Sequence, residues 1–130
     1  MADVNRGNRP LSPHLTIYRL PITAITSILV RITGNALLVA ALMTVWWFLA
    51  AASGPEYYEF ANGVITSWFG DLVMALSVLG LWYHTLGGVR HLIWDQVIGL
   101  DIVTAESLSW AVIIGSVALT VLTWVIMLVA

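Results

Sequence analysis

The run Ile32 to Ala52, "ITGNALLVAALMTVWWFLAAA", holds 21 residues and not one charge. As a helix it is about 31 Å long, the thickness of a bilayer's hydrocarbon core. Only a helix or a closed barrel satisfies its backbone donors and acceptors inside lipid, and an unbroken apolar run of this length reads as a helix. The rest of the chain agrees. Of 130 residues, 60% are hydrophobic and 9% are charged, with no lysine among them. A soluble domain carries about 25% charged residues. So few charges cannot cover a surface that faces water. The fold class is therefore an all-α membrane protein. A net charge of −2 gives no sign of nucleic-acid binding.

Two more spans follow. The second runs from about Phe69 to Val97, with Asp71 at its start and Asp95 at its end; the third runs from Leu108 to Ala130, with no charge after Glu106. The helical pattern of the first span begins near Thr23. The predicted spans are thus 23–52, 69–97 and 108–130, with 1–22 as an N-terminal segment. Trp46, Trp47, Trp68, Trp94, Trp110 and Trp124 lie near several predicted ends, as interfacial aromatics do. Arg6, Arg9, Arg19 and Arg31 come before the first charge-free run, whereas the loop "SGPEYYEFANGVITSW" has two glutamates and no base. By the positive-inside rule the N-terminus is cytoplasmic, or in the matrix of an organelle. The first 20 residues do not have the pattern of a signal peptide. The short N-terminus without an Arg/Ser-rich presequence favours a bacterial inner membrane over a mitochondrial one.

There is no cysteine. This chain cannot ligate an iron–sulfur cluster through cysteine or hold haem by thioether bonds. If it handles electrons, it uses a non-covalent cofactor or one held by a partner.

The second span ends in "HTLGGVRHLIWD", residues 84–95. Relative to His84, a helix puts Gly88 at about +40°, His91 at about −20° and Asp95 at about +20°. These four form one stripe, with Gly87 beside it, so that something bulky can approach the backbone. A buried neutral imidazole is a good metal ligand. A lone one suits an axial haem position better than zinc, which gathers three or four ligands. His84 and His91 are on one face, about 10 Å apart along the axis, so they cannot ligate one iron from opposite sides. His14 lies before the first span, so a second ligand points to another chain. His91 and Arg90 lie nearer the inner surface, where haem propionates would seek cations. Arg90 points about 120° away from His84 and would have to reach around, or serve a neighbouring helix or lipid phosphate. The plainer reading stays open: His84 hydrogen-bonds a neighbouring helix, and Arg90 snorkels from an ordinary charged end.

In "SILVRITG", Ser27 and Arg31 stand at i and i+4 and share a face at the inner end of span one. A hydroxyl beside a guanidinium there suits a polar carbonyl head with a tail in lipid, such as a quinone. The plainer reading is a positive-inside anchor with a helix-start serine.

"RPLSPHLTIYR", "SILVRITG" and "HTLGGVRHLIWD" together resemble the cytochrome b556 family of succinate dehydrogenase membrane anchors, over nearly the whole chain. The most specific part is H-x-x-x-G-x-R-H-x-x-x-D, complete here; Arg9-Pro10 and Ser27, Arg31, Thr33 and Gly34 support it. The resemblance implies a three-helix anchor that packs with a second membrane-anchor subunit and shares one haem b with it. His84 matches the axial ligand, the other ligand coming from the partner. Ser27 and Arg31 match the lining of a ubiquinone site, and Arg31 and His91 match positions near the haem propionates, with Gly88 and Asp95 in the same motif. A flavoprotein subunit would oxidise succinate, and an iron–sulfur subunit would carry the electrons to quinone. Many members have a histidine where this chain has Val30, so any contact made by that imidazole is absent or replaced. Rival readings are the anchor of a quinol:fumarate reductase, a cofactor-free structural or transport subunit, and a homodimeric cytochrome with His84 from two copies.

Overall fold

The structure is a computed structural model and describes residues 18–130. Four helices follow in order: α1 (Ile22–Ser53), α2 (Pro55–Ile65), α3 (Trp68–Asp95) and α4 (Ile102–Val129). Three of them, α1, α3 and α4, are long and apolar enough to cross a membrane. At 1.5 Å per residue they measure about 48, 42 and 42 Å, so each outruns the hydrocarbon core by a turn or more.

The starts of α3 and α4 are capped by side chains. Ser67 caps α3 by accepting from the Gly70 amide, and Asp101 caps α4 by accepting from the Thr104 amide. The third long helix therefore starts at Ile102, six residues ahead of the apolar onset at Leu108. A helix is nucleated by its cap, and the membrane selects only its middle. At the other junction α3 stops at Asp95, two residues short of Val97, whose φ of 60° marks a tight turn.

The segment read as a loop after span one is the helix α2. Pro55 fits the first helical position, where no amide donor is needed, and Glu56 sits at the positive end of the helix dipole. Tyr57, Phe60, Ala61 and Val64 repeat at i, i+3, i+4 and i+7, the spacing of one apolar face. Gly54, at φ 136°, makes the sharp turn into it, a conformation that L side chains rarely adopt. Two indoles of α1 hold α2 in place. Trp46 Nε1 donates to Tyr57 Oη (2.9 Å) and Trp47 Nε1 to Asn62 Oδ1 (3.2 Å). Ala61 is fully buried beneath them.

The described interior is small and polar. Its buried side chains are Ala50, Ala61, Tyr83 and Val112, with Thr26, Arg90, Ser109 and Ser116. The large aliphatic side chains point outward, among them Leu38, Leu42, Leu49, Leu122 and Ile126. Lipid is the solvent for such a surface, and packing rather than water exclusion joins the helices. Buried hydroxyls are satisfied within their own helices: Ser116 Oγ donates to the Ile113 carbonyl (2.8 Å) and Thr120 Oγ1 to that of Ser116 (2.7 Å). Between α3 and α4, Trp82 Nε1 donates to Thr123 Oγ1 (2.9 Å).

The α1–α3 crossing is notched in both directions. Val30 of α1 fills the notch at Gly87 of α3, and His84 of α3 fills the notch at Gly34 of α1. A Cβ at either glycine would collide with its neighbour, so the two glycines set how closely the helices approach.

Candidate functional site

His84 lies at that crossing, half-buried, with its Nδ1 3.0 Å from the Val30 carbonyl oxygen. A carbonyl only accepts, so Nδ1 donates to it, and in the neutral ring Nε2 is the nitrogen with a free lone pair. Metal-ligating histidines are usually held in this way by a hydrogen bond from the other ring nitrogen. One turn on, a Cβ placed at Gly88 would meet nothing within 4 Å. Nothing among the described residues packs against Gly88 beside His84. Among the described residues no three histidine, cysteine or carboxylate side chains converge on a metal-sized point. Among the described residues, His84 offers one nitrogen ligand beside Gly88, which suits haem and not zinc.

His91 continues the stripe, half-buried, with its ring edge-on to Trp94 at 5.5 Å. Asp95 ends it, exposed. On α1, Ser27 is half-buried and Arg31 is exposed. The Arg31 carbonyl accepts from Asn35 Nδ2 (2.9 Å), a polar side chain one turn deeper that the motifs did not single out. Arg31 is next to Val30 in sequence, so the α1 stripe reaches the level of His84. Arg6, Arg9, Pro10 and His14 lie outside the described residues.

The structure does not bring Arg90 together with His84 and His91. Its side chain is 1% exposed and turned into the seam among α1, α3 and α4. There Nη1 donates to Thr26 Oγ1 and to Ser109 Oγ (2.9 Å), one hydroxyl from each neighbouring helix. The Tyr83 hydroxyl donates to the Thr26 backbone carbonyl (3.2 Å) in the same layer. Of the readings open to Arg90, service to a neighbouring helix is the one its contacts match. Thr26, Tyr83 and Ser109 were missed on sequence because a lone hydroxyl in an apolar helix has no motif. The usable signal was the 120° offset of Arg90, which pointed to a polar partner on another helix.

A hollow of about 620 Å³ lies at the junction of α1 and α2 among Ser53, Glu56, Tyr57 and Phe60. From Val30 that is about 35 Å along α1, far from both polar stripes.

Comparison with known proteins places the chain in a family. Residues 5–123 match the model of the family described as succinate dehydrogenase/fumarate reductase transmembrane subunit. The chain is 52% identical over 126 residues to the succinate dehydrogenase cytochrome b556 subunit of Paracoccus denitrificans, covering 97% of each chain. It is 41% identical over 120 residues to the subunit of that name from Rickettsia conorii, covering 92% of this chain and 93% of the other. The succinate dehydrogenase cytochrome b560 subunit of Reclinomonas americana is 33% identical over 129 residues, with 92% and 86% covered.

Proposed function

Because this chain belongs to the transmembrane-subunit family of succinate dehydrogenase and fumarate reductase, we propose that it is the haem b-carrying membrane anchor of a succinate:quinone oxidoreductase and lines its quinone site. The observation that carries this reading is the state of His84. Its Nδ1 is held by the Val30 carbonyl, and its Nε2 is left for a ligand beside the open face of Gly88. One haem b would be shared with a second membrane-anchor subunit, which would supply another ligand. When bound, it would supply a one-electron redox centre.

The protein's own side chains have distinct tasks in this reading. His84 would hold the haem iron through Nε2. Arg31 and His91 would meet the haem propionates, and Asp95 closes the stripe. Arg90 stands behind that face and holds α1 and α4 against α3 through Thr26 and Ser109. The Ser27 hydroxyl donates to one quinone oxygen. The Arg31 guanidinium offsets the negative charge that develops as the quinone is reduced, as a preorganised cation does. Electrons reach the quinone from a flavoprotein that oxidises succinate, through an iron–sulfur subunit. Both soluble partners dock on the cytoplasmic side of a bacterial inner membrane, where Arg31 and the N-terminus lie.

The test is a reduced-minus-oxidised absorption spectrum of the purified complex, wild type beside His84→Ala. A b-type signal in the first, lost in the second with all subunits still together, is the expected result. No b-type signal in either would leave the stripe as a surface for partner helices and overturn the proposal.

A further inference from the structure

The His84 ring is held by more than one atom of α1. A Cβ added at Gly34 would come within 2.8 Å of His84 Cε1 and 3.3 Å of Nδ1. Real Cβ atoms do not approach so closely, so with any other residue at position 34 the ring must move. The ring is rigid, and α1 is continuous helix on both sides of Gly34. The movement therefore falls on the His84 side-chain torsions, and it carries Nδ1 off the Val30 carbonyl.

That carbonyl also receives a second side-chain donor. Thr33 Oγ1 points between two acceptors, the Leu29 carbonyl (2.8 Å) and the Val30 carbonyl (3.0 Å). Thr33 and His84 thus compete for one oxygen. Gly34 admits the imidazole to it, and Thr33 dilutes its acceptor strength.

We propose that Gly34 and Thr33 are positioning residues for the haem ligand: together they set how strongly the Val30 carbonyl accepts the His84 Nδ1 proton, and so the basicity of Nε2. This rests on the reading of His84 as the axial ligand. A stronger Nδ1–H···O bond makes Nε2 a better donor to iron, favours the oxidised state and lowers the midpoint potential. The two residues then act in opposite senses. Gly34→Ala displaces the ring, weakens the bond and raises the potential. Thr33→Val keeps the side chain's shape, removes the competing hydroxyl, strengthens the bond and lowers the potential.

The experiment is a redox titration of the haem in the assembled complex, wild type beside both variants, with low-spin electron paramagnetic resonance of the oxidised form. The expected result is a shift up for Gly34→Ala and a shift down for Thr33→Val, each with altered g-values. A packing defect alone has no reason to give opposite signs. Shifts of the same sign, or none in either, overturn the proposal. If Gly34→Ala does not assemble, Thr33→Val decides alone, by a downward shift or its absence. A wild-type complex without a b-type signal sinks the ligand reading itself, which is a different failure.

Discussion

The Arg90 guanidinium lies over the indole of Trp94, one turn further along the same helix, with 4.6 Å from Cζ to the ring centroid. The cation is thus held from three directions, by an aromatic face of α3 and by hydroxyls of α1 and α4. Its Nε and Nη2 find no acceptor among the described residues. A buried guanidinium with donors to spare depends heavily on those it has satisfied.

This sets an order of sensitivity in the seam. Thr26→Val takes an acceptor from a charge that stays buried, at a cost of about 1–3 kcal/mol. Arg90→Met removes the charge and keeps much of the volume. Thr26 and Ser109 then still donate to their own helix carbonyls, at Ile22 and Ala105. Thermal unfolding in detergent should rank Thr26→Val as the more destabilised of the two. The reverse order would show that Arg90 contributes more than its bonds to these hydroxyls.

Arg31 is exposed on the chain's own surface, so its loss disturbs little packing here. In the assembled complex Arg31→Leu should lower quinone reductase activity by about a hundredfold, the scale for removing one group that stabilises developing charge. Arg31→Lys should fall between. Unchanged activity and quinone affinity in Arg31→Leu would remove this residue from the site.

Gly88→Ala separates folding from cofactor binding. The new methyl would meet nothing within 4 Å among the described residues, and alanine favours a helix by about 1 kcal/mol over glycine. Stability of the chain should hold or rise. Haem content, read from the pyridine haemochrome, should fall if the proposed haem sits against this face. Full haem content would place the cofactor away from this face.

Asp101 gives a pH dependence outside the membrane. The Thr104 amide, then its hydroxyl, donates to the carboxylate and holds its pKa below the ordinary value. A group whose pKa is lower folded than unfolded stabilises the fold above its unfolded value. That contribution is lost as pH falls through the folded value, so the cap weakens below about pH 4. Amide exchange at Thr104 should show this step in the wild type and lack it in Asp101→Asn. A step of equal size in both would assign it to another group.

The three membrane helices were legible because lipid demands long charge-free runs, and Ile32–Ala52 could be nothing else. The His84 stripe was legible because helical periodicity is rigid enough to carry an angle over eleven residues. The α2 helix was not read, although Pro55, Glu56 and the apolar spacing of Tyr57, Phe60, Ala61 and Val64 encode it; its charges suggested a solvated connection. The onset of α4 at Ile102 was missed because hydropathy marks where lipid begins, and the Asp101 cap marks where the helix does. The tilt of the His84 ring was beyond sequence reasoning altogether. It depends on Gly34 lying opposite, and which residues of two helices face each other is decided by the whole crossing.

An interior built from hydroxyls, glycines and one arginine, wrapped in leucine and valine, inverts the usual map of mutational tolerance. On the outer faces Leu38, Leu42 and Ile126 are interchangeable among aliphatic residues, because fluid lipid adapts to any of their shapes. At the helix contacts, Thr26, Ser109, Gly34 and Gly87 are small residues with few permissible substitutes. Lineages of this chain should therefore drift fastest where it is most hydrophobic and hold still where it is smallest.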